Sequence, residues 1–274
     1  MRSSVEIHNI RTGLTRVVWQ TDQLVEAPNF SRDGRSLVIN GDGRLYRLPL
    51  DGSPPVPIDT GFAIRCNNDH GLSPDGRWLA ICDKTEFGKS AIYILPADGG
   101  VPRLVTPGLP SYWHGWSPDG RQICYCGIRD DLFDIYTISV DGGEEERLTF
   151  GEGRNDGPDW SVDGRIYFNS SRSGRMQIWC VRPDGRHVTR ITDSPWADWF
   201  PHPSPDGRHL LVLSYHADVL DHPRDQRVRL RLMDADGRND RVLFELLGGQ
   251  GTMNVPNWSP DGDQFAFVRY GPAD

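Results

Sequence analysis

Histidines are the side chains with the widest chemical range in this sequence, and five of the eight lie in irregular segments. These five are His70, His114, His202, His216 and His222. An imidazole can bind a transition metal or transfer a proton near neutral pH. We predict a general base among His70, His114, His202 and His222, and the catalytic candidates are His70, His114 and His222.

Oxygen donors accompany these histidines, and Asp69 is one of them. Carboxylate and amide oxygens suit a hard cation such as Ca²⁺ or Mg²⁺, whereas imidazoles with a carboxylate suit Mn, Fe or Zn. We predict a divalent metal, Ca²⁺, Mn²⁺ or Zn²⁺. Its candidate ligands are Glu26, Asn68, His70, His114, Asp156, His202, Gln250 and Asn254. The alternative is that each polar side chain only hydrogen-bonds the backbone of its own loop.

Aromatic and arginine side chains in or near the same segments could bind a substrate. Sugars present apolar C–H faces to aromatic rings, and a guanidinium group can clamp a carboxylate. The predicted substrate-binding residues are Trp113, Arg129, Arg154, Trp196, Trp199 and Arg224, and Arg172 is a further candidate clamp. The alternative for the tryptophans is packing between neighbouring structural units.

The elements that position these residues follow from a repeated turn motif, S-P-D-G-R with small variations. Its six serines are Ser31, Ser73, Ser117, Ser161, Ser204 and Ser259, separated by 42, 44, 44, 43 and 55 residues. Proline fixes φ at the first central turn position and glycine supplies the positive φ that follows. Each copy therefore predicts a tight turn between two antiparallel strands.

A second repeat alternates with the first, and each copy is an alternating strand that ends in a D-G or T-G turn, as in Ile135-YTISVDGG. A further short strand follows, as in Glu146-RLTF. Each unit thus has four antiparallel strands, and six such units predict an all-β, six-bladed β-propeller occupying residues 1–274 as one domain. Blade six combines residues of about 254–268 with residues 5–19, which closes the ring.

The strand order predicts which face of the propeller binds a ligand. The S-P-D-G and D-G-G turns lie on one face and are short, whereas the connections on the other face are long and irregular. Binding residues collect on long loops, so the second face is the candidate site. The blade-five connection, residues 215–225, is about eight residues longer than its counterparts and is predicted to overhang the channel mouth as a partial lid.

The W-S-P-D-G repeats with their I-Y and L-T strands resemble the TolB-like β-propeller family, a distant relative of the WD40 repeats. The resemblance covers essentially the whole chain and implies the fold, while such propellers include both binding proteins and enzymes. The set Glu26, Asn68, Asp156 and Asn254 is similar to the metal ring of six-bladed, gluconolactonase-type lactonases, and RNDGP at 154–158 looks like one of their loops. Oligogalacturonate lyases have similar propellers, and this resemblance implies metal ligation by His70, His114, His202 and Gln250.

Composition excludes several classes of function. The net charge of −8 argues against nucleic-acid binding, and no apolar stretch reaches the ~18 residues of a membrane span. No phosphate-binding glycine motif occurs, so no nucleotide cofactor is expected. The five cysteines match no zinc pattern, and the amino terminus has no apolar signal region. We expect reduced thiols and a cytoplasmic location.

Two functions remain open at this stage. The first is binding of a small molecule, a carbohydrate or sugar acid, at the channel mouth, with metal-assisted lyase, hydrolase or lactonase activity. The second is a non-catalytic scaffold that binds a protein partner. Clustering of His, Asp, Asn and Trp at one concave mouth favours the first.

Overall fold

The structure, a computed structural model, describes residues 2–271, which form a closed ring of six blades, five with four strands and one with three. Blade one contains β3 (Glu26–Phe30), β4 (Ser36–Gly41), β5 (Arg44–Pro49) and β6 (Val56–Pro57). Blade two contains β7 (Cys66–Leu72), β8 (Trp78–Asp83), β9 (Ala91–Pro96) and β10 (Arg103–Leu104). Blade three contains β11 (Ser111–Trp116), β12 (Gln122–Arg129), β13 (Leu132–Ser139) and β14 (Glu146–Arg147).

The second half of the ring continues this pattern. Blade four contains β15 (Asn155–Trp160), β16 (Ile166–Ser170), β17 (Gln177–Val181) and β18 (Thr189–Arg190). Blade five contains β19 (Ala197–Pro203), β20 (His209–Tyr215), β21 (Gln226–Asp234) and β22 (Arg241–Gly248). The predicted six-bladed all-β fold is confirmed. Of the residues described, none belongs to a helix long and apolar enough to cross a bilayer.

Blade six joins the two ends of the chain, as predicted. It contains β1 (Arg2–Asn9), β2 (Thr15–Thr21) and β23 (Gln264–Gly271), and β1 lies between the other two. Val5 pairs with Val268, so strands from opposite ends of the sequence share one ladder. The innermost segment departs from the prediction, because only an isolated bridge between Trp258 and Phe265 represents it. A single helical turn, α1 (Gln250–Met253), precedes that segment.

The repeated motif forms the turn that the sequence predicts. In blade two the Ser73 hydroxyl donates to Asp75 Oδ1 at 2.6 Å, and the same oxygen accepts the backbone N–H of Arg77. Gly76 has a φ of +73°, which a side chain would disfavour. These local bonds fix the turn independently of the rest of the fold, which explains why the motif can repeat around the ring.

The connections on the opposite face are less uniform than predicted. Those of blades one and three have two residues each, 42–43 and 130–131, whereas blade five has residues 216–225. Blade two connects through residues 84–90, so the blade-five connection is not about eight residues longer than all its counterparts. The prediction that every such connection is long is therefore wrong, since a two-residue turn suffices wherever two strands of equal length meet.

The core lies between adjacent blades, where apolar side chains from neighbouring sheets interdigitate. Trp113 is fully buried and packs on the backbone of Gly71, where an added Cβ would lie 2.1 Å from the indole ring. The Trp116 indole N–H donates to the Gly71 carbonyl at 3.0 Å. Blades two and three are therefore held together by tryptophans placed against a glycine.

Candidate functional site

A cavity of about 540 Å³ opens at the mouth of the channel on the face that carries the blade-five connection. Polar residues form most of its wall: Glu26, Asn40, Asp42, Asn67, Asn68, Asp69, Lys84, Tyr112, His114, Arg154, Asp156, His222 and Gln250. Its apolar wall includes Leu24, Ile128 and Phe133. The volume lies within the range typical of small-molecule sites.

His114 and Asp156 form a buried ion pair at this cavity. The Nε2 atom of His114 lies 3.5 Å from Asp156 Oδ1, and its Nδ1 lies 3.2 Å from the Asn254 carbonyl oxygen. Burial opposes charge on His114, but Asp156 and Asp69 outweigh it and raise the pKa of the imidazole. Burial also opposes charge on Asp156, yet the neighbouring His114 and His222 rings hold the pKa of Asp156 well below its ordinary value. The charged pair is thus the favoured state.

The blade-five connection contributes His222 to the same network. His222 Nε2 lies 3.7 Å from Asp156 Oδ2 and 3.1 Å from Asp221 Oδ1. Arg154 contacts His222, Asp156 and Asp221, with its Nη2 atom 3.2 Å from His222 Nε2. The predicted lid segment, residues 215–225, therefore reaches the channel mouth through His222, which lines the cavity, and Asp221, which pairs with Arg154.

A cluster of side-chain oxygen atoms adjoins this network through Asn254, whose carbonyl oxygen contacts His114. The Asn254 amide donates to Asn68 Oδ1 at 3.1 Å and to Asp69 Oδ1 at 2.8 Å. Burial raises the pKa of Asp69 and of Glu26, so both carboxyl groups take up protons more readily than in water. Gly251 of α1 gives Glu26 its space, because an added Cβ would lie 2.3 Å from Glu26 Oε1.

His70 does not join His114, contrary to prediction. The register of the two inner strands differs: His70 pairs with Ile81 within the ladder, whereas His114 lies in a bulge between two paired residues. A bulge reverses which face the following side chains point toward, so equal sequence positions do not give equal directions. His70 Nε2 instead lies 3.3 Å from the Val38 carbonyl oxygen, and burial lowers the pKa of His70 to about 4.

His202 is also not available as a metal ligand, although it was predicted to be one. Its Nδ1 lies 2.9 Å from Asp159 Oδ2 and its Nε2 lies 2.8 Å from the Met253 carbonyl oxygen, so both ring nitrogens are occupied. Gln250 lines the cavity, and the Asn254 amide group binds Asn68 and Asp69. Across residues 2–271, no three His, Cys, Asp or Glu side chains are arranged to hold a metal ion. The eight predicted ligands therefore do not form one metal site.

The three predicted tryptophans do not form a stacking platform at the mouth. Trp113 packs between blades, as the alternative interpretation expects. Trp199 is buried behind the site, with its ring centroid 4.7 Å from that of His222. Trp196 lies elsewhere on blade five, where the Arg229 guanidinium stacks 3.5 Å from its ring centroid.

Only one of the predicted arginine clamps lines the cavity. Arg154 does so, and it stacks 4.4 Å from the centroid of the Phe133 ring. Arg129 is engaged by Glu145 at 2.8 Å and by the Pro110 carbonyl, so it holds strands together instead.

The other two candidate clamps are engaged outside the cavity wall. Arg172 pairs with Glu152 at 3.0 Å. Arg224 pairs with Asp225, and its charge favours the ionised form of Glu26 from outside the wall. Neither guanidinium group therefore lines the cavity.

Sequence reasoning missed several wall residues. Tyr112 occupies the same repeat position as Glu26 and Asp156, and burial raises the pKa of its phenol to about 12. Lys84 is one of two lysines among 30 basic residues, a rarity that could have singled it out. Phe133 carries no such signal, because it looks like any strand residue.

Comparison with known proteins agrees with this architecture. A family model for a TolB beta propeller domain matches residues 113–221. The uncharacterized protein Atu1656 of Agrobacterium fabrum is 67% identical over 276 residues, covering 100% of this chain and 94% of that protein. The Tol-Pal system protein TolB of Francisella tularensis is 26% identical over 89% of this chain, which spans 56% of that protein's length.

Solved structures of similar fold are also propellers. A provisionally named TolB from Agrobacterium tumefaciens superposes with a TM-score of 0.98 at 66% identity, over 100% of this chain and 99% of that one. A manganese complex of oligogalacturonate lyase superposes with a TM-score of 0.60 at 15% identity, over 87% of this chain and 71% of that one, and shows the fold alone. The fold and cavity together define a six-bladed propeller with a polar mouth. The chain belongs to the TolB-like β-propeller family.

Proposed function

We propose that this protein binds a small carbohydrate, a sugar acid, in the cavity at the channel mouth. The observation that carries the proposal is the composition of the cavity wall, where carboxyl and amide groups such as those of Asn68 and Asp69 accompany the His114–Asp156 pair. Hydroxyl groups both donate and accept hydrogen bonds, so a polyol can satisfy such a mixed set. Tyr112 and Phe133 offer rings to the apolar face of a sugar.

Lys84 is the candidate partner for the ligand's carboxylate. Arg154 already pairs with Asp156 and Asp221, at 3.3 and 3.0 Å. Lys84 also lines the cavity but forms no ion pair with another of residues 2–271. An ammonium group without a carboxylate partner at a cavity wall attracts an anionic ligand.

The chemistry that this site supports is proton transfer, as in a lyase or hydrolase. Asp156 raises the pKa of His114, which favours the role of an acid over that of the predicted general base. His222, the other imidazole at the wall, is the candidate base. Because His70 and His202 are engaged elsewhere, and no three His, Cys, Asp or Glu side chains of residues 2–271 are arranged to hold an ion, no step of this chemistry is assigned to a metal.

Calorimetric titration with glucuronate and galacturonate tests the proposal. We expect saturable binding of one hexuronate and, in Lys84→Ala, an affinity lower by about tenfold, the effect of losing one charge-assisted hydrogen bond. Lys89→Ala is the matched control, since Lys89 is exposed and lies outside the cavity. Failure of both hexuronates to bind would reject the proposal.

A protein-binding scaffold remains the second candidate, because the opposite mouth also has a depression, of about 1090 Å³. Its wall includes Trp78, Trp160 and Trp258 together with Arg32 and Arg121, residue types that are enriched at protein interfaces. This function predicts no hexuronate binding, so the same titration separates the two candidates.

We also propose a cytoplasmic location, without nucleic-acid or membrane partners. All five cysteines are free and buried, which suits a reducing compartment, and the net charge of −8 disfavours a polyanionic partner. Cell fractionation tests the location.

A further inference from the structure

A second cavity of about 570 Å³ opens beside the polar one, between β2 of blade six and strands β4 and β5 of blade one. We call it the apolar groove. Its wall consists of Trp19, Thr21, Gln23, Leu24, Val25, Ile39, Gly41, Asp42, Tyr46, Pro54 and Pro55. Asp42 is the one charged residue among these, so the groove offers little to a polar or charged molecule.

The apolar groove lies next to the polar cavity, and the two share part of their walls. Leu24 and Asp42 line both. The connection between β4 and β5 consists only of Asp42 and Gly43, with φ values of +49° and +71°. An added Cβ at Gly43 would lie 3.0 Å from the Ile64 carbonyl oxygen, so this tight turn also lies close to the neighbouring blade. Leu24 and the tight turn at Asp42 therefore belong to the wall that the two cavities share.

The two cavities differ in what they can bind. Burial of aromatic and aliphatic surface is favourable in proportion to the apolar area removed from water. Trp19 and Tyr46 are only half-buried, although both also pack against the apolar core of blades six and one. The polar cavity, by contrast, has Glu26, Asp69 and Asp156 in its wall.

We propose that the natural ligand is amphipathic, with a sugar acid in the polar cavity that carries an aryl or alkyl group in the apolar groove. This inference rests on the proposed function and specifies its ligand class, an aryl or alkyl glycoside of a hexuronate. Leu24 and Asp42 lie where the two parts of such a ligand are joined.

The test compares each free hexuronate, glucuronate or galacturonate, with its 4-nitrophenyl β-glycoside by calorimetric titration. We expect the glycoside to bind at least about tenfold more tightly, because an aromatic ring leaves water. In Trp19→Ala this advantage should disappear while the affinity for the free hexuronate stays unchanged. Trp78→Ala is the matched control, since Trp78 is 44% exposed at the opposite mouth.

A second variant guards against loss of folding in Trp19→Ala. Pro54 is exposed, so Pro54→Glu places a charge in the groove without disturbing packed residues, and it should abolish the same advantage. Equal affinities for hexuronate and glycoside would overturn this inference and leave the proposed function standing. An advantage that persists in both groove variants would also overturn it. Failure of both free hexuronates to bind would reject the proposed function itself.

Discussion

The Nδ1 atom of His202 lies 2.9 Å from Asp159 Oδ2, which joins blade five to blade four through a buried pair. The other ring nitrogen reaches the Met253 carbonyl oxygen, just before blade six. We expect His202→Ala to lower the free energy of unfolding by about 3 kcal/mol, because it leaves buried polar groups without partners. Urea denaturation measures this. Hexuronate affinity should be unchanged, and its loss at constant stability would contradict the structural role.

The His114–Asp156 pair should make stability depend on pH in two directions. The pKa of Asp156 is depressed, so its contribution is present above its ordinary value of 3.8 and is lost as pH falls through the depressed value. The pKa of His114 is raised, so its contribution is complete below 6.5 and is lost as pH rises through the raised value. The stability difference between wild type and His114→Gln should therefore be largest between pH 4 and 6.5.

Urea denaturation of both proteins at several pH values measures that difference. A difference that is constant across the range would contradict the charged pair. We expect His114→Ala to be destabilised too, since Asp156 would lose its partner while buried.

Gly71→Ala should disrupt the contact between blades two and three. The added Cβ would lie 2.1 Å from the Trp113 ring, and overpacking of this kind costs roughly 2–3 kcal/mol. Trp113→Phe in the same chain should restore part of the loss, because a smaller ring makes room. Gly271→Ala, where no atom lies within 4 Å, is the control. Thermal melting curves of wild type, the two single glycine variants and the double variant measure these changes in stability.

Removing β1 and β2 should abolish cooperative folding. Val5 and Ile7 belong to the apolar core shared by blades six and one, and β23 would become an exposed edge. Circular dichroism melting measures the effect. Val17→Thr, at an exposed position of β2, should stay within about 0.5 kcal/mol of wild type. A truncated chain with an unchanged cooperative transition would contradict the closing role.

Replacing residues 216–225 with the Asp-Gly turn of blade one should preserve the fold and abolish hexuronate binding. The exchange removes His222 and Asp221, and Arg154 would lose one carboxylate partner. Asp218→Asn is the control, because Asp218 is exposed and pairs with His216 outside the cavity. Calorimetry and a melting curve measure the two effects, and unchanged binding would exclude this connection from the site.

The sequence predicted the blades because the S-P-D-G turn is fixed by local chemistry, from the Ser73 hydroxyl to the φ of Gly76. It did not predict the inward direction of side chains, because the inner strands carry bulges at different places. In blade two the irregularity spans residues between Cys66 and His70, and in blade three it is His114 itself. Side-chain direction along a strand changes with each such insertion, and no local motif marks its position.

The strand bulges also explain why only part of the site could be predicted. Asp156, His114 and Asn68 line the cavity as expected, whereas His70 and His202 bind neighbouring backbone and carboxylate groups. A histidine in a loop carries no signal that tells a free imidazole from one held by another blade. That distinction depends on contacts between residues far apart in sequence.

The closure of blade six also determines how the molecule should respond to mechanical force. Arg2 lies opposite Gly271 at one end of the ladder, and Asn9 lies opposite Gln264 at the other. Tension applied between Arg2 and Gly271 therefore acts on one rung at a time, so the ladder unzips rather than shears. We expect a low rupture force for this strand pair in single-molecule pulling, even though the same pairing completes the ring at equilibrium.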